Sequence, residues 1–328
     1  MFGGRRARLF RLRLHPARGH EEAGRRSTRD DRPFGINLFA SPLPQDIADD
    51  GQRAALDAVA GYYTELGLPP PEPARAPYGP DFDAQIDAVA AIRPRVFTVH
   101  LDALPSAQVA RLKSLGIAVG GSATCVAEAE RLEAMGFDFV IAQGGEAGGH
   151  RGSYLRDPYQ SMTGTLALTR LLVRALRVPV VAAGGIMDGA GIAAVLALGA
   201  QAAQLGTAFV PCPESGAHQA HKDALLAARE DTTTLTEKFS GKPARGIANR
   251  YLREMNQRDA AQLAFPAQNS VTGRLRAAAG KAGNAEFLAL WAGQGVAMSR
   301  ALPAAELVAR LESETVEALR RTAAFVQE

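Results

Sequence analysis

The chain has 328 residues, room for a barrel with an appendage; 47% are hydrophobic and 22% charged, the balance of a globular protein. Its net charge of +3 divides into +6 from residues 1–32, which hold ten Arg against four acidic residues, and −3 from the remainder. A nucleic-acid groove would spread positive charge over the folded part, so that function is set aside; two cysteines, Cys125 and Cys212, exclude a disulfide framework and lack metal-ligand spacing, so no metal is expected.

No apolar run approaches the roughly 18–20 residues of a membrane span, and no secretory apolar region with a small-residue cleavage site is visible. A cytoplasmic, reducing location without a membrane partner is therefore expected. The amino-terminal arm, residues 1–32, is Arg-rich, has no acidic residue before Glu21 and shows no strand periodicity. It reads as a targeting sequence or, in the preferred reading, as non-native sequence from a shifted frame or misplaced start, and it is expected to be disordered.

From residue 34 onward, short β-branched runs alternate with helical stretches, the pattern of a parallel α/β fold. The strands are predicted at Phe34–Phe39, Val96–Leu101, Ile117–Gly120, Phe137–Gln143, Pro179–Ala183 and Ala203–Val210. Their apolar residues run on with little alternation, as in strands covered on both faces. Helices are expected at Gly51–Leu66, near Phe82–Ile92, and at Ser106–Leu115, Val126–Met135 and Ile192–Leu198, the last three each followed by a Gly that stops them. A Pro-rich stretch at 68–80 is expected as an extended surface loop.

After residue 215 the strand signal stops. The expected organisation is a (β/α) barrel over 33–215 and a mainly helical region over 216–328. Six strands are countable where a closed barrel of this type has eight. The expected fold is therefore α/β, (β/α)8 TIM-barrel-like, lacking or distorting the first two strands.

Three Gly-rich segments stand at the carboxyl ends of three strands, where barrels keep their active sites. The first, Gln143 to Gly152, reads QGGEAGGHRG; its glycines let the backbone approach a flat or anionic ligand, with Gln143 and His150 facing one pocket. The second is AAGGIMDG at 182–189 and the third QLGTAF at 204–209. Loops after the last two strands of barrels often bind phosphate through backbone N–H groups, so a phosphate-bearing cofactor is expected.

These stretches, with GINLF at 35–39, Glu214-Ser215 and FSGKPARGI at 239–247, resemble the nitronate monooxygenase family, formerly 2-nitropropane dioxygenases, over residues 33–300. The resemblance implies an FMN-dependent (β/α)-barrel oxidoreductase acting on nitronates with O₂ as second substrate and leaves the oligomeric state open. It implies that Asn37, Gln143, Gly148, Gly185, Gln204, Leu205, Gly206 and Thr207 lie at the flavin. It also implies that His150 matches the base proposed there for neutral nitroalkanes. A neutral imidazole, with an ordinary pKa of about 6.5, accepts a carbon-bound proton near pH 7. The family's first strand, with its Pro-Met-Ala-Gly-type loop, and its Gly-Gly-Leu-Gly run have no counterpart here.

Blander readings stand beside these. His100, in VHLD, is as well read as a structural histidine as a pocket residue, and Asn37 as a turn cap. Gly184 and Gly185 also suit a tight turn, Glu146 is read as a loop carboxylate and Cys212 as a buried hydrophobe, while Trp291, in LWAGQG, lines the pocket or, in the preferred reading, anchors the carboxyl helices. Two other functions compete: a flavin-dependent enoyl-thioester or NAD(P)H:quinone reductase, and an inactive truncated family member.

Overall fold

In a computed structural model, described for residues 12–13, 33–41 and 46–324, the six expected strands line up in parallel in chain order. They are β2 (Gly35–Phe39), β3 (Val96–His100), β4 (Ala118–Ala123), β5 (Phe139–Gln143), β7 (Val180–Ala183) and β8 (Ala202–Gln204). A two-residue strand, β1 (Leu12–Arg13), pairs in parallel with Gly35–Ile36 and adds a seventh. The sheet is an open half-barrel among the described residues. The expectation of disorder for residues 1–32 otherwise lies outside them.

The helices between these strands are α1 (Asp49–Glu65), α2 (Phe82–Ile92), α3 (Ser106–Ser114), α4 (Val126–Ala134), α5 (Thr165–Ala175) and α6 (Gly189–Ala197). The helix–Gly–strand module recurs with one geometry. Gly116, Gly136 and Gly199 all have positive φ. The residue after each donates back into the last helical turn, Ile117 to Leu112 O, Phe137 to Leu132 O and Ala200 to Val195 O. Each strand thus starts four or five residues after its helix ends, and the sheet buries Phe97, Val99, Val119 and Val140 against Leu112, Leu132, Leu168 and Leu172.

Two expectations are corrected. The run Ala203–Val210 is a strand only to Gln204; Thr207–Phe209 is a 3₁₀ turn, so apolar character continued past the end of the ladder. Beyond Ser215 the chain is not helical throughout. Between α7 (Gln219–Ala227) and α8 (Arg250–Gln257) lies a hairpin, β9 (Thr233–Thr236) and β10 (Ala244–Ile247). It pairs antiparallel with β6 (Gly149–His150), a two-residue strand in the first Gly-rich loop. Helices α9 (Gln268–Lys281) and α10 (Ala304–Ala324) complete the chain.

The excursion between β2 and β3 has its own core. Helix α1 buries Ala55, Leu56, Val59, Tyr62 and Tyr63 on one face, against α8, α9 and the hairpin. Tyr63 Oη donates to Val271 O in α9 at 2.7 Å. The Pro-rich stretch that follows α1 is irregular, as expected, and is tied down by Gln52, whose amide pairs with both backbone groups of Ala74. No described helix is long and apolar enough to cross a membrane.

Gly120 in β4 leaves room for a ring: a Cβ there would sit 2.3 Å from Phe139. Gly120→Val is expected to cost about 1–3 kcal/mol in chemical denaturation, the range for overpacking. The loss should shrink in a Phe139→Leu background. An unchanged midpoint would mean that the ring simply swings aside.

Candidate active site

The loop after β5 is built from its backbone outward. Gln143, the last residue of the strand, is buried; its Oε1 accepts from Gly152 N at 2.8 Å and its Nε2 donates to His150 O at 2.9 Å. His100, ending β3, puts Nε2 3.0 Å from the same carbonyl. A carbonyl only accepts, so neutral His100 carries its proton on Nε2. Two side chains from two strands thus fix the carbonyl of His150. Arg151, buried at 3% exposure, turns the other way: Nε donates to Ser161 O at 2.9 Å, while Nη1 reaches Gln143 O at 2.6 Å and Gly144 O at 2.8 Å. Burial lowers its pKa to about 10, which leaves it a cation at neutral pH.

The imidazole of His150 is brought to Ser240 by strand pairing, because Ala244 of β10 stands opposite His150. Nε2 lies 2.8 Å from Ser240 Oγ, and Ser240 Oγ in turn lies 3.2 Å from Lys242 O. The hydroxyl has one proton and Lys242 O cannot donate, so both contacts are satisfied when Ser240 donates to Lys242 O and accepts from His150 Nε2–H. That tautomer leaves the lone pair of His150 on Nδ1. Three rings surround the imidazole: Phe265 at 5.4 Å, Phe39 at 5.5 Å and Trp291 at 5.6 Å between centroids. Although the residue as a whole is half-buried, desolvation of the ring lowers its pKa to about 3, with the charges of His100, Lys242 and Arg276 acting in the same direction. Burial likewise lowers His100 to about 4, partly opposed by its bond to the His150 carbonyl.

The other Gly-rich loops join this one through the segment that follows Trp291, Ala292 to Gly295. Gly148 lies so close to it that a Cβ would sit 2.5 Å from Ala292 C and Gly293 N. Gln294 N donates to Glu146 O at 2.9 Å, and Gly293 N to Thr207 Oγ1 at 3.0 Å. A Cβ on Gly295 would sit 2.7 Å from Gly185 O, and Gly185 itself has φ +68°. Gly148, Gly185 and Thr207 therefore share one backbone junction. Gln204 and Leu205 lead into it from β8, and at Gly206 an added Cβ would meet nothing within 4 Å among the described residues. Asn37 accepts from Thr98 Oγ1 at 2.9 Å and shares a strand face with Phe39, two residues on.

Glu146 is the structural carboxylate expected: it accepts from Thr165 N and Thr165 Oγ1 at the start of α5. Trp291 follows the alternative reading rather than the preferred anchor, since its ring packs against His150 as well as on Phe239 at 5.8 Å. Phe39, Ser240 and Phe265 were missed as site residues. Among the described residues no group of three His, Cys, Asp or Glu side chains is placed to hold a metal.

A family model described as nitronate monooxygenase matches residues 26–314. The nitronate monooxygenase of Paraburkholderia phytofirmans is 43% identical over 301 residues, covering 90% of this chain and 81% of that protein. That of Pseudomonas aeruginosa is 43% identical over 287 residues, 87% and 82% of the two chains. Among solved structures, nitroalkane oxidase from Streptomyces ansochromogenes has a TM-score of 0.83 at 41% identity and covers 94% of this chain and 87% of that one. FabK from Thermotoga maritima has a TM-score of 0.70 at 24% identity, covering 95% and 85%, a likeness of fold.

The two histidines couple stability to pH. Above pH about 6.5 both are neutral folded and unfolded; below it the unfolded chain binds two protons that the folded chain takes up only near pH 4 and 3. Stability contributed by these groups therefore falls as pH drops from about 6.5 towards 4. Melting temperatures of the wild type and His150→Gln, followed over that range, should show a shallower decline in the variant; parallel declines would refute the linkage.

Proposed function

This chain belongs to the nitronate monooxygenase family, and from that membership and the setting of His150 we propose that it oxidises alkyl nitronates with FMN and O₂, giving a carbonyl compound and nitrite. The observation that carries the reading is a neutral imidazole, its Nδ1 lone pair unshared with any described residue, inside an aromatic box at the carboxyl ends of the strands.

The family is flavin-dependent, and the residues here fit such a group. Gly185, Gln204, Leu205, Gly206 and Thr207 would hold its phosphate end with backbone N–H groups, and the open space at Gly206 suits a close ligand approach. Asn37, Gln143 and Gly148 would border its ring. Bound flavin supplies the electron acceptance and passage to O₂ that no side chain offers. The chain's own residues bind, orient and exclude water.

His150 and its surroundings favour the anionic substrate. General-base catalysis is most effective when the base has a pKa near the working pH, and an imidazole lowered to about 3 is a weak acceptor for a carbon-bound proton. A nitronate has already lost that proton. With it, neutral His150 orients and desolvates; with a neutral nitroalkane, Nδ1 must take the α-proton, while Ser240 keeps Nε2–H in place. The likeness to FabK carries the barrel scaffold alone and adds nothing to the reductase reading.

The test uses the flavin-loaded protein with a nitroalkane and its preformed nitronate. Oxidation of the nitronate is expected to exceed that of the nitroalkane at pH 7. His150→Gln is expected to lower nitroalkane kcat/KM by about 10²-fold or more, the usual scale of general-base losses, and to change nitronate turnover by a few-fold. Ser240→Ala should follow the same pattern more weakly. Equal losses on both substrates would remove the base assignment. Released flavin that proves not to be FMN would overturn the cofactor proposal.

A further inference from the structure

One half-buried cation close enough to act on His150 has no carboxylate partner among the described residues. Arg276, on α9, sends its side chain back along the helix, where Nη2 donates to Asn269 Oδ1 at 3.1 Å. Its Nε is buried without a hydrogen-bond partner. No described carboxylate acts on it: the groups whose charge bears on Arg276 are the phenols of Tyr251 and Tyr63. Both hydroxyl protons are already committed, Tyr63 to Val271 O at 2.7 Å and Tyr251 to Lys238 O at 3.1 Å.

Two arginines that are buried outright are better served. Arg151 reaches three main-chain carbonyls, and Arg245 donates to Gly145 O at 3.2 Å and Thr233 Oγ1 at 3.3 Å. Lys242, the other cation acting on His150, has Asp102, Glu128 and Glu237 near enough to favour its charge. Arg276 is left as a desolvated guanidinium with five N–H donors and one side-chain acceptor among the described residues. Burying such a charge is costly unless an opposite charge arrives with good geometry.

The place of the guanidinium indicates the ligand. Asn269 lies near the amino end of α9, four residues from Phe265, whose ring touches His150. We infer that Arg276 is a receptor for a planar oxyanion, and that the two oxygens of the bound nitronate lie against its N–H groups in the pocket bordered by His150, Phe265 and Trp291. A guanidinium is flat and presents parallel donors, matching an O–N–O edge as it matches a carboxylate. The oxyanion's identity as a nitronate rests on the proposed function; the anion site rests on Arg276 itself.

Sodium nitrate, a planar oxyanion, probes the site without turnover. Calorimetric titration of the full, flavin-loaded chain, at ionic strength held constant with chloride, is expected to give saturable binding. Arg276→Lys should bind more weakly and Arg276→Met should lose about tenfold or more in affinity, the scale of one charge-assisted hydrogen bond. Trp291 is the only tryptophan in the chain, so its emission gives a second readout at the same pocket. In turnover, Arg276→Met should raise KM for a nitronate by a similar factor and leave KM for the neutral nitroalkane within about twofold. Because the charge is unpaired in the protein alone, Arg276→Met should melt no lower than wild type. Failure of wild type to bind nitrate, or an unchanged nitrate isotherm in Arg276→Met with a lowered melting temperature, overturns the inference and makes Arg276 structural. Saturable nitrate binding that needs Arg276, in a protein that oxidises neither nitroalkane nor nitronate, overturns the proposed function and leaves the anion site standing.

Discussion

The site depends on the buried guanidinium of Arg151. The loop from Gly144 to Ser161 has only the two residues of β6 in regular pairing, so most of its backbone groups find partners one by one. Arg151 joins the two limbs: it holds the carbonyls of Gln143 and Gly144 at one end and of Ser161 at the other. Neighbouring charges on Glu128 and Glu146 favour the cation that burial disfavours. With the loop closed in this way, the carbonyl of His150 turns inward to Gln143 and His100, and its side chain turns towards β10. Ser240 and the aromatic box follow from that direction.

The acidic groups near the loop are consumed in building it. Glu128 is fully buried and accepts from Thr124 N, Thr124 Oγ1, Tyr154 N and Leu155 N, which pins the loop to the end of β4. Glu146 caps α5. Neither acts on the imidazole, whose charged neighbours at neutral pH are Lys242 and Arg276, both positive. The environment of His150 is therefore dry and cationic. Such a place stabilises an anion and discourages a second proton, which is the electrostatic reason that an already ionised substrate suits it better than a neutral one.

How much of this the sequence disclosed follows from interaction range. The six parallel strands were legible because strands covered on both faces are short continuous apolar runs, and the glycines after three helices marked their starts. The end of β8 was not legible: Leu205, Ala208, Phe209 and Val210 keep the apolar character while Gly206 and the 3₁₀ turn leave the ladder. The hairpin of β9 and β10 was missed because each strand has four residues, and β10 finds its other partner at His150, nearly a hundred positions earlier. Ser240 stood in a recognised motif, but only that distant pairing gives its hydroxyl a role. Phe265 has no periodic signal at all, and the choice between a pocket and an anchor role for Trp291 is settled only by its ring contact with His150, far away in sequence.

The segment between β2 and β3 has a function that its Pro-rich tail disguised. It builds the far wall of the pocket by holding α9. Tyr63 bonds to the main chain of Val271, Tyr62 Oη donates to Glu254 Oε2 at 2.8 Å in α8, and the two tyrosines sit in the same apolar cluster as Tyr251, Leu275 and Phe287. Thr272, also on α9, donates to Phe239 O at 2.6 Å, one residue before Ser240. Helix α9 is therefore clamped between α1 and the turn that presents Ser240. The sheet side fixes His150 and the α1–α9 side fixes Ser240, Phe265 and Arg276, so the geometry of the pocket depends on how those two halves are packed. A substitution within the tyrosine cluster, well away from the Gly-rich loops, acts on the site through α9 because the partners of His150 are carried there.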